Sequence, residues 1–95
     1  MEGEKTMRKF ESIFILKPNV TEEQVTNVLE DIKKIVDVRK EEKYGKKKLA
    51  YPVQNQHEGY YVLFEFQKAN NNHDELEKYY KNSELIIKSI IVALD

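Results

Sequence analysis

Three consecutive lysines, Lys46, Lys47 and Lys48, stand between Tyr44-Gly45 and the apolar stretch Leu49 to Val53. Ammonium groups at that density can neutralise the phosphates of a polyanion, and the counterions released favour binding. On an extended chain the triplet cannot face one way, so Lys46 and Lys48 share a row and Lys47 points opposite. Arg8 and Lys9 add cations just before the first apolar run, and Lys43 lies three residues before the triplet. These lysines also have a structural use, because charge on an edge strand blocks sheet-to-sheet association.

Groups suited to catalysis are sparse. His57 and His73 stand apart, the chain has no cysteine, and no His-x-x-x-His or Glu-x-x-His spacing could build a metal site. Three glycines form no phosphate loop, and no serine has a nucleophile-elbow context. The chain therefore reads as a binder with no cofactor and no small-molecule substrate.

The net charge of -1, from 16 basic and 17 acidic residues, gives no bulk signal for a polyanion. Any such function must rest on local clusters. Ninety-five residues allow one domain with a modest core. The longest apolar runs, Ile13–Leu16 and Ile90–Leu94, are far shorter than the roughly 20 residues of a membrane helix, and the lack of cysteine fits a reducing cytosol. Residues 1–6, MEGEKT, have neither periodicity nor a signal-peptide core and are expected to be a tail before a domain at 7–95.

The elements that must position the lysines follow from periodicity. FESIFIL, residues 10–16, is β-branched and aromatic and ends at Lys17-Pro18-Asn19, which marks a strand closed by a turn. Thr21 and Gln24 form a capping box. Val25, Val28, Leu29, Ile32, Ile35 and Val36 then mark one stripe of a helix over 21–36. Residues 38–44 and 46–54 are extended, with Gly45 at a bulge or twist and Pro52 demanding a sheet edge. A turn at 55–59 leads into GYYVLFEF, residues 59–66, the most apolar strand. A second helix is expected near 73–82 after Asn70-Asn71-Asn72, and a last strand at 86–94.

The order β-α-β-β-α-β is that of an α+β, ferredoxin-like sandwich, a four-stranded antiparallel sheet with both helices on one face. The first and third strands are then central and the second and fourth are edges. Alternation assigns Phe10, Phe14 and Leu16 to the core, and Ser12 to a core position. It turns Ile13 and Ile15, Tyr61 and Leu63, and Ile90 and Val92 toward the uncovered face. Six large apolar groups there make a surface of several hundred Å², the size at which a partner is expected. Self-association of a non-catalytic interaction domain through this face is the alternative use.

Two enzyme and nucleic-acid families share the topology but not the motifs. KPNV after the first strand lacks the arginine-bearing glycine loop of acylphosphatase-type enzymes. EGYYVLFEF, residues 58–66, departs from the RNA-recognition motif, with Glu58, Tyr61 and Leu63 in place of its basic, small and aromatic residues.

MRKFESIFIL followed by KPN, the capped helix, YGKKKLAYPV, EGYYVLFEF and a terminal VALD, in that order, resemble the bacterial small-subunit ribosomal protein six family from Met7 onward. The resemblance implies a cytoplasmic, ribosome-associated protein of the translation machinery. It implies binding to the 16S ribosomal RNA central domain together with small-subunit ribosomal protein eighteen, which would occupy the sheet side. By position it carries phosphate contacts onto Arg8, Lys47, Lys48 and Lys88, with Lys9 and Lys46 beside them. Tyr51 and Pro52 match the family block as shapers of the strand.

Overall fold

A computed structural model describes residues 8–53, 55–68 and 74–94. Its elements are β1 (Arg8–Leu16), α1 (Glu22–Ile35), β2 (Asp37–Val53), β3 (Gln56–Lys68), α2 (Asp74–Asn82) and β4 (Ile86–Ala93). The sheet order is β2-β3-β1-β4 with antiparallel pairing throughout, so β1 and β3 are central, as expected from their apolar content.

Helix α1 begins where Thr21 caps it. The Thr21 Oγ1 accepts from the Gln24 amide at 3.1 Å and the Gln24 Oε1 accepts from the Thr21 amide at 2.9 Å, closing the capping box. Val25, Val28, Leu29 and Ile32 are buried along one side of the helix, as the spacing predicts. On α2, Leu76 and Tyr80 are buried. The Asn70–Asn72 capping candidates, His73 and residues 1–7 lie outside the described residues.

The core lies between the helices and one sheet face. Phe10, Phe14 and Leu16 of β1 meet Val62, Phe64 and Phe66 of β3 there, with rings at 5.2 Å between Phe10 and Phe66. Ser12 is fully buried in the same row. Its hydroxyl donates to the Ile90 carbonyl at 2.9 Å and lies 2.6 Å from the Tyr80 hydroxyl. Because Ser12 has one proton and gives it to Ile90, Tyr80 donates to Ser12. A polar residue thus sits in an aromatic core without an orphaned group, tying β1 to both α2 and β4.

The β2–β3 hairpin differs from expectation. Residues 56–59, read as a turn, are strand. The pair Val53 and Gln56 closes the hairpin, and Asn55 takes the left-handed φ of 64° that asparagine tolerates. Pairing with β1 stops at Tyr60, so the hairpin continues past the sheet as a free arm and the molecule extends to 50 Å. Gly45, at φ 82°, sits where the β2 register slips between Lys43 and Gly45, the bulge expected from its position.

Candidate nucleic-acid and partner interface

Register defines the uncovered face. Across β2, β3, β1 and β4, one row presents Lys40, Glu65, Glu11 and Val92, and the next Glu42, Leu63, Ile13 and Ile90. A third row holds Gly45, Tyr61, Ile15 and Lys88. All six residues expected on this face, Ile13, Ile15, Tyr61, Leu63, Ile90 and Val92, therefore lie on it.

Their accessibility is uneven. Ile90 and Val92 on the edge strand are 49% and 51% exposed, whereas Ile15 is only 7% exposed. A Cβ on Gly59 would collide with the Ile15 Cγ2, so the missing side chain of Gly59 is what lets Ile15 fold down against the sheet. Ile15 belongs to the packing of this face more than to its contact surface. Ile13, Tyr61 and Leu63 are half-buried.

Charge divides the same face. Glu11 stands directly opposite Glu65, a like-charge pair that costs stability across a ladder, and Glu42 lies one row away. Tyr44 donates to the Glu42 carboxylate at 2.6 Å, and Lys40 lies 3.6 Å from the same group. Those two contacts, Tyr44 first, hold the Glu42 carboxyl below the usual range. Tyr44 in turn is pushed up, first by its bond to Glu42, with further contributions from burial and from the charges of Glu42 and Glu11. The centre of the face is thus apolar with a carboxylate border.

The six cations carried over from the resemblance do not form one patch. Arg8 pairs with Lys68 at one end of the sheet, with Lys9 next to it. Lys88 pairs with Ile15 near the other end, about 23 Å away at the usual rise per residue. Lys46, Lys47 and Lys48, opposite Tyr60, Gly59 and Glu58, are at that second end, where the hairpin leaves the sheet. As expected, Lys46 and Lys48 share one face and Lys47 takes the other. Lys47 lies on the uncovered side, its Nζ 5.6 Å from the centre of the Tyr44 ring.

Two cations were missed from the sequence. Lys17 continues β1 toward the Lys47 and Lys88 end, with its amide bonded to the Leu85 carbonyl at 2.9 Å, and Lys68 stands across from Arg8. In the sequence Lys17 reads as turn chemistry beside Pro18, and Lys68 becomes a neighbour of Arg8 only through register. On the arm, the β2 register opens between Lys48 and Val53, and Tyr51 there is 81% exposed. A cleft of about 530 Å³ lies between Pro18 and this arm, with Lys48, Pro52 and His57 among its walls. Among the described residues, no three His, Cys, Asp or Glu side chains are grouped to hold a metal ion.

The ribosomal protein S6 family profile matches residues 9–93. The small ribosomal subunit protein bS6 of Caldanaerobacter subterraneus subsp. tengcongensis is 32% identical over 94 residues, covering 94% of this chain and 99% of that protein. That of Clostridium acetobutylicum is 34% identical with the same coverage. The crystal structure of 30S ribosomal protein S6 from Thermotoga maritima superposes with a TM-score of 0.86 at 34% identity, covering 94% of this chain and 89% of that one.

Proposed function

The chain belongs to the ribosomal protein S6 family, and from that membership we propose that it binds the central domain of 16S ribosomal RNA together with small-subunit ribosomal protein eighteen. Membership itself makes it a structural, non-enzymatic constituent of the small ribosomal subunit, and hence a cytoplasmic protein.

The observation that carries the finer reading is the separation of charge from apolar surface. Arg8 and Lys9 stand at one end of the sheet and Lys46, Lys47, Lys48 and Lys88 at the other, which supports the reading that they neutralise phosphates along its rim. The middle of the uncovered face is a poor place for a phosphate backbone, because Glu11, Glu42 and Glu65 would repel it. It suits a protein that buries Ile13, Leu63, Ile90 and Val92 and brings basic side chains to the carboxylates. RNA at the rim and protein on the face are therefore compatible occupants.

In this mechanism, phosphate contacts supply affinity through counterion release, and the protein partner supplies apolar burial and orientation. Phosphate contacts carry no sequence information directly, so the isolated chain is expected to have little sequence selectivity. The test is binding of a 16S central-domain fragment to this chain plus the partner protein over a salt series. About four phosphate contacts predict a log-log slope of about -3 to -4 on the duplex relation. A flat response would overturn the electrostatic part.

A further inference from the structure

The sheet has two edges of different construction. β2 carries Lys40, Lys43, Lys46, Lys47 and Lys48, contains Pro52, and breaks register three times, all of which discourage pairing with another strand. β4 reads IIKSIIVA: one charge in eight residues, no proline or glycine, and an unbroken register with β1 from Ala93 to Lys88. No described strand pairs with its outer side.

We propose that the outer edge of β4 accepts an extended strand from the protein partner that covers the uncovered face, making the sheet five-stranded. The proposal rests on the reading that a protein occupies that face, and deepens it by naming how the partner holds on.

Hydrogen-bond direction along β4 supports the assignment. The Leu94 amide bonds the Lys9 carbonyl at 2.9 Å, and the Ile90 carbonyl faces Ser12 on the β1 side. By the alternation of an antiparallel ladder, Lys88, Ile90 and Val92 bond toward β1, and the N–H and C=O groups of Ile87, Ser89, Ile91 and Ala93 point outward. An added strand finds a row of donors and acceptors already aligned.

Side-chain space is present on both sides of that edge. Toward the helices, a groove of about 430 Å³ runs between α2 and β4, with Tyr80, Ile87 and Ile91 as apolar walls. Toward the uncovered face, Ile90 and Val92 are half exposed. The incoming strand is therefore apolar on both faces. Lys81 stands beside Glu77 at the groove, and Lys88 on the uncovered side favours one acidic residue of the incoming strand beside it.

An eight-residue edge alone offers much less than the roughly 1,200–2,000 Å² of a stable interface. This argues against a dimer built on β4 alone. It favours a strand that is one part of a partner also lying on Ile13 and Leu63.

Hydrogen exchange separates the possibilities. The outward amides of Ser89, Ile91 and Ala93 are measured in the free full chain and in small ribosomal subunits containing it. Slowing by at least about tenfold on incorporation supports strand addition. Equal rates in the two states overturn it while leaving ribosomal membership intact. Protection already present in the free chain overturns it too, because the chain's own residues would then fill the edge. Failure of the chain to enter subunits overturns both readings.

A backbone variant tests the edge directly. Ser89→Pro removes one outward N–H without touching the β1 ladder, and is expected to lose about fivefold in competition with the native chain for incorporation, the value of one net hydrogen bond. Ser89→Ala is expected to compete equally. Ala93→Pro, at the strand end, provides the same test if Ser89→Pro does not fold. Full competitiveness of folded proline variants overturns the proposal.

Discussion

On the helix-covered side, β1 contributes Phe10, Ser12, Phe14 and Leu16, none more than 3% exposed, while the other side of the same strand carries Glu11, Ile13 and Ile15. The covered side resolves its one polar group, because Ser12 has partners in Tyr80 and Ile90. The uncovered side leaves a conflict standing, with Glu11 facing Glu65. Folding alone does not favour a like-charge pair beside a half-exposed apolar row. Stability is concentrated on one side of β1 and the surface proposed for the partner lies on the other, although the residues alternate within a single strand.

Substitutions on adjacent β3 residues would break this division most sharply. Phe64→Ala, which opens a cavity against Phe14 and Phe66, is expected to cost about 3–5 kcal/mol in urea unfolding of the isolated chain. Leu63→Ala, one residue away on the other side, is expected to cost about 1 kcal/mol or less while weakening association with the protein partner. Similar losses for the two would mean that the uncovered face is a second core.

The buried hydroxyl pair comes next in size. Ser12→Ala removes the acceptor of Tyr80 and leaves that phenol unpaired in the core, at a cost of about 1–3 kcal/mol by denaturant titration. The Ser12→Ala/Tyr80→Phe double variant is expected to recover part of this, since no buried donor remains. A double variant as unstable as the sum of the singles would contradict the coupling.

A smaller effect appears in alkali. Burial raises the Tyr80 phenol well above its ordinary 10.0, and raises Tyr79 to about 12, where a bond to Asp31 adds to the effect. Both groups are neutral in the folded chain where the unfolded chain would ionise. Their contribution is therefore complete below pH 10 and is lost as pH rises through the folded values. Unfolding free energy is expected to be flat from pH 8 to 9.5 and to fall by about 1 kcal/mol by pH 11 from Tyr80. A Tyr80→Phe chain should fall less steeply, and parallel curves would remove Tyr80 as the cause.

Much of this division is legible in the sequence. Period-two alternation marks Ile13, Tyr61, Leu63 and Ile90 as outward because Glu11, Glu65 and Lys88 share their rows, and Thr21 with Gln24 announces the helix start. The length of the hairpin is not legible, since QHEG at 56–59 has turn-like composition and becomes strand through pairing with β2. Nor is the burial of Ile15, which depends on Gly59 of a neighbouring strand having no side chain. The distribution of cations to two ends, the approach of Lys17 and Lys68 to them, and the Glu11–Glu65 conflict all require the register of residues distant in sequence.

The lysine triplet bears on the central claim most directly. Lys46, Lys47 and Lys48 are exposed and lie outside the core, so Lys46→Glu/Lys47→Glu/Lys48→Glu is expected to change the stability of the isolated chain by no more than about 0.5 kcal/mol per site. If the rim holds phosphate, the tagged triple variant will fold and fail to co-purify with small ribosomal subunits from cells in which the tagged native chain does so. Co-purification of the folded triple variant at the native level would contradict the account.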